Sequence, residues 1–278
     1  SNNACKENDA HYVATLNDAR YFLSLVCFEL GRYDECEEFL LGKKHSDCMH
    51  TELRIPNGVY GVNLLAKVFH KSGRTKLAIE YYRQCLDMDS YHCGAIMALC
   101  ELGENPGTHI LQSKDCVIPT VTVTGKKESD KVEEDDERTV QVEHCDTQSY
   151  QKLQSLFKNL SLGYFKLQQF YPQHALRYFN AVSTAHFASA WVLNNTARCY
   201  YEMNDYQRAV VNWSKQLELY PYDLKGMDYY STALWHLKKT KELTLLSQHC
   251  SEMDKTSSAT WIVMGNCFSL HKSHDLAI

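Results

Sequence analysis

LFKNLSLGYFKLQQFYPQHALRYFNAVSTAHFAS, residues 156–189, runs without a gap into AWVLNNTARCYYEMNDYQRAVVNWSKQLELYPYD (190–223) and LKGMDYYSTALWHLKKTKELTLLSQHCSEMDKTS (224–257). Stepping by 34 from Leu156 lands on Ala190, Leu224 and Ser258, and the same residue classes return in register. The eighth position is always small: Gly163, Ala197, Ser231 and Gly265. The twentieth is Ala175, Ala209, Leu243 and Ala277, and the twenty-fourth is Phe179, Trp213 and Ser247. Small side chains at positions 8 and 20 let two antiparallel helices approach closely, while large ones at 4, 11 and 24 fill the space between units.

A period of 34 with this pattern is that of the tetratricopeptide, a helix–turn–helix repeat. The expected fold is therefore an all-α solenoid. The front of the chain carries the pattern less cleanly. With Val59 as position 1, Leu65, Ala66, Phe69, Ala78 and Tyr82 take positions 7, 8, 11, 20 and 24, and Ser72-Gly73 forms the turn. Another unit opens near Asn17, with Leu23, Ser24 and Cys36 at positions 7, 8 and 20 and Gly31 at its turn. The extra residues around Lys44–Asn57 read as a longer connection, and Cys93–Leu102 as a lone first helix stopped by Gly103-Glu104-Asn105-Pro106.

Residues 104–148 break the period. Between Lys126 and Glu143 lie eight acidic and four basic side chains, a local −4 out of the chain's −5. The segment lacks sustained apolar periodicity, so it reads as a mobile acidic linker, with Val117–Thr124 as its one β-prone stretch. The expected organisation is an amino-terminal block over 1–103, with repeats near 17–50 and 59–92 and a lone helix at 93–102. The linker over 104–148 follows, and then a second block over 149–278 with repeats starting at 156, 190, 224 and 258. The last repeat breaks off at its twenty-first position, and the chain opens at Ser1, so it reads as a piece of a longer protein.

Composition narrows the function. The 278 residues are 44% hydrophobic with 12 Gly and 5 Pro, too apolar for a disordered chain. Outside the acidic run no basic stripe remains to follow a phosphate backbone, so no nucleic-acid partner is expected. No apolar run approaches the length of a membrane span, so no membrane partner is expected either. Twelve cysteines are spread from Cys5 to Cys267 without a CxxC pair. Cys27, Cys36, Cys85 and Cys199 fall on apolar helical faces, as free thiols do in a reducing compartment, here nucleus and cytoplasm.

Each candidate for chemistry has a plainer reading. There is no GxGxxG, GxxxxGK[ST] or HExxH. His45, Cys48 and His50 lack a fourth zinc ligand and read as a solvated loop. His271 and His274 read as surface residues near a helix end, where a protonated imidazole favours the helix dipole. Cys250 follows His249 directly, and adjacent helical residues point apart, so the pair reads as packing. Trp191, Trp213, Trp235 and Trp261 suggest a stacking platform, but Trp213 and Trp261 hold packing positions 24 and 4, which predicts core. No catalytic, cofactor-binding or metal site is assigned, and an enzyme is not expected. At positions 5 and 9 the residues are Leu160/Tyr164, Asn194/Arg198, Asp228/Thr232 and Ile262/Asn266, without the Lys/Asn clamp that holds a C-terminal carboxylate.

Several stretches go beyond the repeat consensus. YSTALWHL (230–237), MDK (253–255), Trp261, GNCFSL (265–270) and HDLAI (274–278) resemble the cell-division-cycle twenty-seven family, a tetratricopeptide subunit of the anaphase-promoting complex. Tyr60–Leu86 followed by LCELGENP (99–106) is similar to the end of that family's amino-terminal repeats, so the resemblance covers about residues 19–106 and 156–278. It implies a non-catalytic scaffold that positions other subunits of a cell-cycle ubiquitin ligase. It also implies homodimerisation through amino-terminal repeats, and a groove for Ile-Arg tails in carboxy-terminal repeats beyond Ile278. The chain departs from the family in its short insertion and missing first repeats. The alternative reading is a peptide-binding adaptor or co-chaperone.

Overall fold

A computed structural model describes residues 2–42, 55–106 and 147–277. The described residues are all helical outside their turns. The front half contains α1 (Asn2–Glu29), α2 (Tyr33–Leu41), α3 (Gly58–Lys71), α4 (Thr75–Met88) and α5 (Cys93–Glu101). The second half contains α6 (Thr147–Gln168), α7 (Pro172–Asn180), the short α8 (Thr184–Phe187), α9 (Ala190–Glu202) and α10 (Tyr206–Leu219). It ends with α11 (Met227–His236), α12 (Thr240–Met253), α13 (Ser258–Leu270) and α14 (His274–Ala277). The pairs α1/α2, α3/α4, α6/α7, α9/α10, α11/α12 and α13/α14 are packed antiparallel hairpins, each stacking on the next within its half. Their first helices open at Asn2, Gly58, Thr147, Ala190, Met227 and Ser258, two of them well ahead of Asn17 and Leu156.

The turn inside each pair has one construction. Its fifteenth residue is left-handed in every case: Gly31, Gly73, Phe170, Asn204, Lys238 and Lys272, with φ between 55° and 75°. At Gly73 the N–H donates to the His70 carbonyl at 3.1 Å, and the following Arg74 N–H reaches back to Phe69 at 2.9 Å. Asn204 and Asp205 make the same bonds to Tyr201 and Tyr200, both at 2.9 Å. This is the bond pattern that satisfies the last carbonyls of a helix and reverses the chain.

Positions 8 and 20 carry the close approach. Ala66, Ala197 and Ser231 are buried, as are Cys36, Ala78, Ala175, Ala209 and Leu243. A Cβ added to Gly163 would lie 2.8 Å from Phe179 Cε1, so α6 and α7 meet at a separation that only glycine permits. Position 24 supplies the bulk: Leu40, Tyr82, Phe179 and Trp213 are all fully buried. In the repeat from Leu224 that position is Ser247, and Leu246 and Cys250 on either side of it fill the core instead.

Two expectations are corrected. The helix α5, read as lone, packs on α6, and its buried residues share one core with Phe165, Phe157 and Tyr164. The seam is held by Tyr91 edge-on to Phe157 at 5.0 Å, by Tyr164 donating to Glu101 Oε1 at 3.0 Å, and by the Cys100 thiol against the Ser161 carbonyl at 3.7 Å. Leu23, at position 7, is 49% exposed on the outer edge of α1, while Ser24 and Cys27 turn inward. Trp261, placed in the core, is 62% exposed. Thr260 and Val263 take the buried face of α13, and the described part of α14 is a single turn that leaves Trp261 uncovered. The long connection, with His45, Cys48 and His50, and residues 107–146 of the acidic linker lie outside the described residues.

Candidate protein-interaction surface

The first helices of successive units, α5, α6, α9, α11 and α13, pack side by side, so their residues at positions 2, 5 and 9 line one continuous face. In a stacked solenoid this is the extended surface offered to partners. What it can bind depends on which polar groups there remain free.

Several do not. Asn194 accepts a bond from the Trp213 indole N–H at 3.0 Å, and Gly226 is bare beside it because a Cβ there would lie 2.0 Å from Asn194 Oδ1. Asn266 donates to Ser231 Oγ at 2.9 Å and Thr232 Oγ1 at 3.2 Å, tying α13 to α11. Position 5 of one unit and position 9 of two others are thus spent on internal bonds. This agrees with the missing clamp for a terminal carboxylate.

Two regions of the face are open. A cavity of about 220 Å³ between α5, α6 and α9 is walled by Ile96, Met97, Phe157, Leu160, Tyr164 and Trp191, with Cys93 at its edge. The Tyr164 and Trp191 rings lie 5.5 Å apart. Burial, then the charge of Glu101 and its hydrogen bond, push the Tyr164 hydroxyl up to about 12, against a smaller opposing pull from Arg198. The Arg198 guanidinium lies 5.3 Å from the Tyr229 ring centre, a cation–π arrangement, and its Nε is buried without a hydrogen-bond partner. Further along, a shallower groove has Asp228, Asp223, Asp254 and Ile262 in its wall.

The remaining candidates from sequence are placed as follows. Trp213 is fully buried, Trp191 is half-buried in the cavity wall, and Trp235 joins Trp261 at the surface, so the four do not form one platform. Cys250 is buried, and burial lifts its thiol to about 11. His249 turns away to the Pro221 carbonyl at 2.7 Å. His271 is exposed at the end of α13 with Nε2 3.1 Å from Thr244 Oγ1, and His274 is exposed one turn later. Among the described residues no group of three His, Cys, Asp or Glu side chains has metal-binding geometry, and no helix is long and apolar enough to cross a membrane. Sequence reasoning missed the cavity and the unmatched Nε of Arg198. The position-5 and position-9 residues were in view, but which of them were already spent on each other was not.

Comparison with known proteins agrees with this architecture. The tetratricopeptide repeat family model matches residues 62–92. A tetratricopeptide repeat protein from Parabacteroides merdae superposes with a TM-score of 0.50 at 11% identity, over 95% of this chain and 90% of that one. The human cell division cycle protein 27 homolog is 36% identical over 126 residues, which is 45% of this chain and 15% of the human protein. The chain resembles the cell division cycle protein 27 family. Homolog A from Arabidopsis thaliana is 38% identical over 124 residues, covering 45% of this chain and 17% of its own length. Anaphase-promoting complex subunit 3 of Dictyostelium discoideum is 35% identical over 127 residues, 46% of this chain and 13% of that protein. The matched region is therefore a small part of each cell division cycle protein 27 relative.

Proposed function

We propose that this chain is a non-catalytic scaffold segment of an anaphase-promoting complex subunit, holding other subunits of that ubiquitin ligase through the face built by its first helices. The observation that carries the reading is the similarity to relatives named cell division cycle protein 27 and anaphase-promoting complex subunit 3, at 35–38% identity. The geometry is in keeping with it, since a stacked array offers a long surface without needing a reacting centre. The same reading places the protein in the nucleus and cytoplasm, where its buried free thiols remain reduced.

Self-association through the front of the array belongs to this proposal. On α1 and just past its end, Leu16, Ala19, Leu23, Val26 and Leu30 recur at alternating steps of three and four and are all exposed, the spacing of a helix–helix seam. Affinity purification of the full-length protein with crosslinking mass spectrometry tests the scaffold role. Recovery of cullin-like and RING-type ligase subunits, with crosslinks to α5, α6 and α9, is the expected result. A heat-shock chaperone as sole partner overturns it. Light scattering on Leu23→Asp/Val26→Asp tests self-association, which should shift from dimer to monomer.

A further inference from the structure

The cavity between α5, α6 and α9 is lined mainly by apolar side chains, and at about 220 Å³ it falls below the ~300 Å³ where sites for drug-sized ligands begin. It fits a single bulky side chain rather than a cofactor. Two charged groups lie near its wall: Glu101, bonded to Tyr164, and Arg198, which holds position 9 on α9 as Tyr164 does on the adjacent α6, and both act on the Tyr164 hydroxyl. They are not equivalent. Glu101 is exposed to water and already accepts the Tyr164 hydroxyl at 3.0 Å. Arg198 has no carboxylate within 4.0 Å among the described residues, and its buried Nε lacks an acceptor. A buried donor without a partner carries a desolvation cost that an arriving acceptor removes, and a guanidinium donates two parallel hydrogen bonds to a carboxylate. Glu202, one helical turn beyond Arg198, and Asp228 on α11 face Tyr201, where with burial and the neighbouring tyrosines they push that hydroxyl up.

We propose that this cavity, together with Arg198, docks an acidic peptide segment of a partner protein, one bulky apolar side chain entering between Phe157, Leu160 and Trp191 while a flanking carboxylate pairs with Arg198. The proposal rests on the scaffold reading above and names the kind of segment that one part of the face takes.

The test is fluorescence anisotropy on the whole chain with fluorescein-labelled, end-blocked peptides of Gly-Ser flanks around Asp-Leu-Asp, Asn-Leu-Asn or Lys-Leu-Lys. The acidic peptide should bind about ten-fold tighter than the amide version, which corresponds to ~1.4 kcal/mol. Arg198→Gln should erase that difference while leaving the amide peptide's affinity unchanged, and Arg198→Lys should restore part of it. Met97→Trp, checked for retained helicity and melting temperature, should abolish binding of all three by filling the cavity. Equal affinity for the acidic and amide peptides, preference for the basic one, or no binding by any of them overturns the proposal. An unaltered chain that fails to discriminate the peptides while the full-length protein still recovers ligase subunits would leave the scaffold role standing and remove only this site. Intact peptide discrimination without ligase subunits would do the reverse.

Discussion

Gly163 shows how much of the fold rests on single atoms. It stands where α6 and α7 come closest, and a methyl group there would lie 2.8 Å from one Phe179 ring carbon and 3.1 Å from two others. Phe179 is fully buried and edge-on to Trp191 at 6.1 Å, so its ring has nowhere to retreat. Gly163→Ala should therefore destabilise the protein by about 1–3 kcal/mol despite alanine's better helix propensity. Urea denaturation should show a lower midpoint, and an unchanged one would mean the ring can move. A second prediction concerns the Asn194–Trp213 bond. Asn194→Leu leaves a buried indole N–H without its acceptor, at a cost of about 1–3 kcal/mol. Trp213→Phe removes the donor, so the two changes together should cost less than their sum, which a double-mutant cycle measures.

The recurring element is a helix pair joined through one left-handed residue, and here the sequence signal was uneven. Gly31 and Gly73 announced their turns because glycine takes a positive φ without a Cβ clash. Phe170, Asn204, Lys238 and Lys272 adopt the same conformation without announcing it, because two well-packed helices impose it on whichever residue stands fifteenth. This separates backbone strain from packing in experiment. Gly73 has nothing within 4 Å of the Cβ it lacks, so Gly73→Ala should cost about 1–2 kcal/mol from the left-handed conformation alone. Lys238→Gly should be neutral or stabilising by up to about 1 kcal/mol, and thermal melts of both variants check the pair. The α5 helix shows the opposite limit. Its own residues were legible, but its partner α6 comes after a long excursion of the chain, and no local pattern reports a contact made at that distance.

For the whole molecule, burial of titratable groups sets how stability varies with pH. Burial pushes the thiols of Cys36, Cys85, Cys100 and Cys199 up to about 12 from an ordinary 9, and raises the Tyr82 hydroxyl as well. These groups are neutral when protonated, and the unfolded chain gives up their protons first. Their contribution is fully present below pH ~9 and is lost as pH rises toward 12, because ionisation then favours the unfolded state. Denaturation midpoints should be flat from pH 7 to 8.5 and fall steadily above pH 9. A midpoint that holds to pH 11 would mean the thiols reach water in the native state. Among the described cysteines, Cys93 is exposed, so brief alkylation at pH 8 should mark it before the buried ones.

The 34-residue period by itself determined the helix–turn–helix unit, its register and the small residues at positions 8 and 20. Each follows from local spacing along one helix and its immediate partner. The resemblance to cell division cycle protein 27 was likewise legible, since it sits in off-consensus stretches that need no coordinates. Only the tertiary structure decided which side chains of the common face were already spent. Asn194, known from sequence only as a position-5 residue, serves Trp213, Asn266 ties α13 to α11, and Arg198 is left with an unmatched Nε. The physical reason is range. Amphipathic periodicity is a property of neighbours within a few turns, whereas a cavity and an unmet hydrogen-bond donor are properties of helices that meet only when the array is stacked.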